Sequence, residues 1–202
     1  MKNLVLLLTI PFLFACTKEE LFPSSSLEGG VWKTACSYSA SGSYQINSAS
    51  FSGGGFTQSS IVHSGSGCAT ALARFDITGT YVVGSSLNGS NVYPIDETLA
   101  SMKLTVLDSS LLSSYNSATY CGYSDWAVGV AKDVTGRTCG SSVLPSVGSV
   151  NYDIYTIWPY SIPEVGITQG TLNFGYNDTA HDGTSPSKRP ESTYGNFDYV
   201  RN

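Results

Sequence analysis

Charge is scarce in this chain. Only 12% of its 202 residues are Asp, Glu, Lys or Arg, with 10 basic against 15 acidic side chains and a formal net charge of −5. The few basic residues form no cluster, which excludes an electrostatic nucleic-acid surface and leaves no nucleic acid among the expected partners. Histidine is almost missing: His63 and His181 are the whole supply, and neither adjoins a cysteine. A Cys nucleophile therefore lacks a neighbouring base. The cysteines are isolated rather than set in C-x2-C pairs, which removes the zinc-ribbon reading. No G-x-S-x-G occurs, so a nucleophile elbow is absent. Ser185-Pro186-Ser187-Lys188 matches S-x-x-K, but Gly183, Pro186 and Pro190 surround it where a catalytic serine of that kind needs a helix start. The carboxylates are scattered, with no pair that suggests glycoside chemistry. These absences point to a non-enzymatic protein with no cofactor and no metal.

Long apolar runs are missing as well. The longest, Leu4 to Phe14, is interrupted by Thr9 and Pro11 and is too short to span a bilayer as a helix. With Lys2 before it, the run suits the apolar core of a signal peptide. It ends in Leu13-Phe14-Ala15-Cys16, which resembles the lipobox of bacterial lipoproteins. The resemblance implies cleavage before Cys16, acylation of that thiol and a membrane partner reached through the lipid. An ordinary secretory signal cut near Ala15 is the alternative. Thr17 in place of an acidic residue points to the outer membrane of a Gram-negative cell envelope. Residues 1–15 are then a leader, 16–29 a Ser-rich tether carrying Pro23, and 30–202 one domain.

What the chain does have is Ser, Thr, Asn and Gly, together with 13 Tyr, 8 Phe and 3 Trp. That composition fits an exported all-β protein and not a helical bundle. Frequent turn signals, among them Gly53-Gly54-Gly55, Gly65-Ser66-Gly67 and Asn88-Gly89, separate short β-branched and aromatic runs. The pattern predicts strands over 31–38, 43–52, 56–63, 71–83 with a bend at Gly79, 102–107, 125–132, 150–158, 171–175 and 197–201. One segment differs: Asp108 precedes apolar residues at 111, 112 and 115, the spacing of a short capped helix. Eight or nine antiparallel strands and one helix make a barrel or a sandwich. With Cys16 set aside for lipid, Cys36, Cys68, Cys121 and Cys139 form an even set, read as two disulfides in an oxidising compartment. Three connectivities are possible. The sequential one, Cys36–Cys68 and Cys121–Cys139, is preferred because consecutive strands usually lie side by side.

Gly30-Val31-Trp32 at the first strand resembles the G-x-W signature of lipocalin-like barrels. The resemblance implies that Trp32 closes one barrel end under a late arginine, for which Arg189 and Arg201 are both placed. The wider series Trp32, Cys36, Tyr44, Phe51, Cys68 and Phe75-x3-Gly79-x-Tyr81 also resembles the β-barrel domain of the adenomatosis polyposis coli down-regulated family. Those barrels are secreted, disulfide-bonded and thought to hold a lipid. The expected fold is an antiparallel lipocalin-like barrel or half-barrel, with Trp32 and Arg201 as its structural pair. The expected function is binding of a small apolar or amphipathic ligand, with Tyr44, Phe75, Tyr81, Trp126 and Tyr152 as aromatic candidates for the wall. A structural or adhesive surface module acting through Ser/Gly/Asn/Tyr-rich loops is the alternative. His63 reads as an exposed turn residue. The stretch from Asn177 to Gly183 reads as a solvated loop, with Asp178 and Asp182 as a weaker cation-binding possibility.

If Cys16 carries the anchor, Cys16→Ser should move the protein from the membrane to the soluble fraction. Thiol titration of the denatured, unreduced mature chain should find no free sulfhydryl.

Overall fold

The computed structural model describes residues 27–38, 42–162, 167–193 and 197–201. The leader, Cys16 and most of the tether lie outside these residues. The chain opens with two short strands, β1 (Val31–Thr34) and β2 (Ser37–Tyr38), which both pair with β3 (Tyr44–Ser52). The meander continues through β4 (Gly55–His63), β5 (Ala71–Val83) and β6 (Val92–Val106), each antiparallel to its predecessor. An excursion follows, made of α1 (Leu112–Ser117), β7 (Ala131–Asp133) and the small hairpin of β8 (Thr138–Cys139) with β9 (Ser142–Val143). The chain then returns as β10 (Val150–Ile162) and β11 (Ile167–Phe174), runs through a long return loop and ends in β12 (Tyr199–Arg201).

β1 pairs with β12 on one side and with β3 on the other, and that double pairing shuts the ring. The result is an eight-stranded closed antiparallel barrel, up-and-down in order, with one short helix and two disulfides. Closure leaves the ring without a free edge. β10 pairs β6 only from Val92 to Thr98, and β7 takes that side of β6 from Lys103 to Thr105. The excursion therefore stands where the lower half of β10 would have been.

Opposed residues in an antiparallel pair share a face, so the register identifies the interior. Trp32 lies opposite Ala49 and Arg201, Phe51 opposite Phe56, and Gln58 opposite Ile77. At Gly79 the register slips: Gly79 faces Leu99 while Thr78 faces Ser101, leaving Ala100 over. This β-bulge sits at the bend that the sequence places at Gly79, and it switches the parity of β6. Ile95, Glu97 and Leu99 point inward above it, and Met102, Leu104 and Val106 point inward below it. The parity switch explains why the strand does not read as one alternating run.

Two apolar clusters fill the barrel from its ends. Trp32, Phe51, Phe56, Ile95, Tyr155, Ile157, Leu172 and Phe174 form the upper one. Trp32 is completely buried; its indole N–H donates to the Leu27 carbonyl at 2.9 Å and its ring carries the Arg201 guanidinium at 4.3 Å. The lower cluster joins Ala73, Met102, Leu104 and Val106 of the barrel to Cys121, Trp126, Val134 and Cys139 of the excursion, which is thus a plug.

The disulfides are Cys36–Cys68 and Cys121–Cys139, the sequential pairing. The first ties the β2 region to the β4–β5 turn. The second ties the turn after α1 to β8 within the plug. The short helix stands where expected: a 3-10 turn at Ser109–Leu111 leads into α1, and Asp108 accepts from the Ser110 N–H at 2.8 Å as the cap. Of the strand expected over 125–132, only Ala131 and Lys132 lie in a strand, as the start of β7. Trp126 is pinned in an extended loop by Asn116, which accepts its N–H at 2.6 Å and donates to its carbonyl at 3.2 Å. Gly129 then turns through φ +78°, a left-handed value that ends any ladder.

A Cβ on Gly79 would sit 2.1 Å from the Thr98 carbonyl oxygen, a backbone atom that cannot move without breaking the bulge. Gly79→Ala should lower stability by about 2 kcal/mol or more. Gly67→Ala, which meets nothing within 4 Å, should be nearly neutral. Urea midpoints on the oxidised protein compare the two.

Candidate functional site

Between the two apolar ends lies a cavity of about 620 Å³. Phe56, Ile77, Leu99 and Met102 from β4, β5 and β6 supply an apolar wall. Pro145 and Ser149 of the plug, and Asp182, Gly183 and Thr184 of the return loop, form its rim. The polar part is small and convergent. Gln58, Glu97 and Asn151 line this cavity and also a second one of about 180 Å³, whose other walls are Asp153, Phe174 and Tyr199. Glu97 therefore stands at the junction of two interior spaces.

Register explains the convergence. Glu97 on β6 lies directly opposite Asn151 on β10, and Asp153 lies one inward position along, opposite Ile95. Gln58 reaches across from β4. Its amide donates to one Glu97 oxygen at 2.7 Å, and the Asn151 amide donates to the other at 3.2 Å. Asp153 accepts from the backbone N–H groups of Ile154 at 2.7 Å and Gly175 at 3.0 Å, both on the same oxygen. Glu97 is 6% exposed and Asp153 8%.

Burial sets the electrostatics. Removal from water pushes the Glu97 carboxyl up to about 7, and the nearby Asp153 charge pushes the same way against the Asn151 hydrogen bond. Asp153 is raised to about 6, again by burial, with its two backbone hydrogen bonds and Arg189 pulling down. Tyr199 is raised by burial and by both carboxylates. Arg189 does not enter the cavity. It spends its guanidinium on the carbonyls of Ile95 and Asp153 and on the Asp96 carboxylate at 2.6 Å, from the outer side of the sheet.

The aromatic candidates lie elsewhere. Tyr44 is on the outer face of β3, edge-on to Tyr38 at 5.2 Å. Phe75 faces inward but packs into the plug cluster. Tyr81 sits in the upper cluster, edge-on to Phe51 at 5.1 Å, with its hydroxyl on Glu28 at 2.7 Å. Trp126 is a plug residue whose indole donates to the Tyr120 carbonyl at 3.0 Å. Tyr152 points outward under Arg189, 5.5 Å from ring to guanidinium. None of the five borders the large cavity.

His63 differs from its expected place. It is buried, 7% exposed, and its ring nitrogens have no hydrogen-bond partner among the described residues. The ladder is irregular at this point, with Val62 opposite Ala73 and His63 opposite Ala71. In the Asn177–Gly183 loop, Asp178 bonds to Ala180 and His181, while Asp182 bonds to Thr184 and Lys188. Each carboxylate is spent within its own turn, and no cluster of three metal-ligating side chains occurs among the described residues.

Sequence reading passed over Glu97 because β6 above the bulge contains Pro94, Asp96 and Glu97, residues that strand interiors rarely hold. The available signal was Ile95-x-Glu97-x-Leu99, an acid in the inward slot of an apolar alternation. No family model matches the chain, and no curated protein matches it.

A carboxyl whose folded pKa is raised holds its proton more tightly in the folded state than in the unfolded one. Its contribution favours the fold at low pH and is lost as pH rises through the folded value. For Glu97 and Asp153 the window runs from the ordinary carboxylate range to about 7. The melting temperature should fall between about pH 5 and about pH 8, and Glu97→Gln should flatten that fall. The exposed carboxylates with lowered values, Asp178 and Asp182, act in the opposite sense and at more acid pH, so the two effects separate.

Proposed function

We propose that this protein is a lipid-anchored envelope lipoprotein that binds a small, largely apolar molecule inside its barrel and performs no chemistry on it. The observation that carries the reading is the cavity of about 620 Å³, apolar on most of its wall and polar at one place where Gln58, Glu97 and Asn151 meet. Its volume falls within the roughly 300–1,000 Å³ typical of small-molecule sites, and a few fixed polar groups in an apolar wall are what orient a ligand. The rim is made of loops, from the plug and the return segment, which supply an entrance that the rigid strands do not. His181 pairs with Asp178 and lies 3.4 Å from Glu191 on the return loop, and it does not line the cavity. The lipobox-like end of the leader supports the anchor.

A surface module acting through its loops is the second reading. Val82, Val143 and Val147, at 70%, 74% and 69% exposure, favour it. The two readings part at the cavity wall. Leu99→Trp puts an indole into the cavity and leaves those surface positions untouched. An uncharged, polarity-sensitive naphthylamine dye should bind the wild-type protein with a fluorescence increase saturating near one equivalent. Leu99→Trp should weaken it about tenfold or more, equivalent to about 1.4 kcal/mol. No dye binding, or binding that ignores Leu99→Trp, would end the lumen reading.

A further inference from the structure

We infer that the ligand carries an ammonium group on an apolar body, and that Glu97, with Asp153 behind it, is the counter-charge that selects it. The inference deepens the barrel-binding reading and rests on it. It starts from hydrogen-bond supply. At the junction of the cavities the amide N–H groups of Gln58 and Asn151 are already directed at Glu97. What remains there is acceptor-rich: two carboxylates and the amide oxygens. Both acids are more than nine-tenths buried, and only one Asp153 oxygen accepts a hydrogen bond among the described residues.

No basic side chain lines either cavity. Arg189, the base nearest Asp153, is committed on the outer side of the sheet. Arg201, on the inward face of β12, carries its guanidinium over Trp32 and lines neither cavity. Two buried carboxylates with no cation lining their cavities are expensive for the fold, and a cationic guest relieves that cost. At the rim Asp182 is paired with Lys188 at 3.3 Å, so the uncompensated negative charge lies inside, at Glu97 and Asp153. A fatty-acid carboxylate would meet like charge. A bare hard cation would use the oxygens of the junction but leave the wall of Phe56, Ile77, Leu99 and Met102 unfilled, and no group of three His, Cys, Asp or Glu side chains placed to hold a metal occurs among the described residues. An ammonium on an alkyl or aryl body satisfies both halves of the site.

The groups that face Glu97 are Asp153 from β10, Tyr199 from β12 and, at the rim, Asp182 with the Lys188 ammonium on it. β4 presents the non-titrating Gln58, β5 presents Ile77 and, opposite Glu97 in register, the titratable Tyr81 with its hydroxyl on Glu28, and the plug presents Pro145 and Ser149. Burial holds the Glu97 proton up to about 7, so ammonium binding must displace that proton and should weaken as pH falls.

The test is calorimetric titration of the intact, disulfide-bonded chain with a matched series: decylamine, decanol and decanoate. A charge-assisted hydrogen bond in a buried site is worth about 1.5–3 kcal/mol, so near pH 8 the amine should bind at least about tenfold tighter than the alcohol, with decanoate weakest. Lowering the pH to about 5.5 should erase most of that advantage. Glu97→Gln, checked for intact disulfides, should bring the amine down to the level of the alcohol and remove the pH dependence of amine binding. Alcohol or carboxylate binding as tightly as the amine overturns the ammonium assignment. So does an amine affinity in the wild-type protein that is flat with pH, which needs no variant to fold. If the dye still binds in those cases, the barrel-binding reading stands alone. If neither the series nor the dye binds, both readings fall together.

Discussion

The fold depends on one short strand pairing twice. β1 is four residues long, yet it hydrogen-bonds β12 on one side and β3 on the other. Without it the strands would form an open sheet with two exposed edges and a solvated apolar face. With it they enclose a volume. Trp32 stands at the centre of that strand, opposite Ala49 and Arg201, and fills the upper end so that the seam cannot open without exposing the largest side chain of the core. The Arg201 guanidinium over the indole brings the last strand to the first by a contact that is both cationic and apolar.

The other end is shut differently. The bulge at Gly79 and Ala100 turns β6 so that Met102, Leu104 and Val106 remain inward after the strand bends. Those three residues receive the plug. The plug has little regular structure of its own, and it holds its shape through Cys121–Cys139, the Asn116–Trp126 clasp and the stacked rings of Tyr115 and Tyr120, 4.3 Å apart. Thr119 and Cys121 take left-handed backbone angles at φ +48° and +53°, which cost a non-glycine residue about 1–2 kcal/mol each. A cross-link that closes a loop of this size offsets about 3 kcal/mol by restricting the unfolded chain. Covalent bracing is thus what permits a loop-built lid over a barrel mouth.

The cavity lies where these two closures leave space, and there the molecule departs from ordinary core chemistry. Ile95 and Leu99 flank Glu97 on the inward face, and either would be the expected residue at its position. A buried acid facing another buried acid is a local conflict, and folded proteins keep such conflicts mainly at sites of use. Gln58 and Asn151 fix the orientation of the carboxylate without neutralising it, which separates it from a structural ion pair.

Several of these features are legible in the residue order. Period-2 runs and glycine punctuation mark most of the strands, Asp108 marks the helix start, Gly79 marks the bend, and an even set of cysteines marks two staples. Each depends on neighbours in the chain, as alternation, caps and turn geometry do. The site was not legible. Tyr44 and Tyr152 alternate outward, Phe75, Tyr81 and Trp126 are absorbed into packing, and richness in aromatics does not say which rings border a void. Glu97 was hidden because Pro94 and Asp96 disguise its strand, and because a carboxylate near an apolar run normally faces water. His63 looked exposed, yet it is buried at an irregular point of the β4–β5 ladder. The sequence by itself determined most strands and the staples, since these follow from local periodicity and covalent chemistry, while the place of Trp32 at a barrel end was only what the resemblance of Gly30-Val31-Trp32 implied. Only the tertiary structure decided which inward positions surround empty space and which acids lose their water, because both depend on register across strands that lie far apart in the chain.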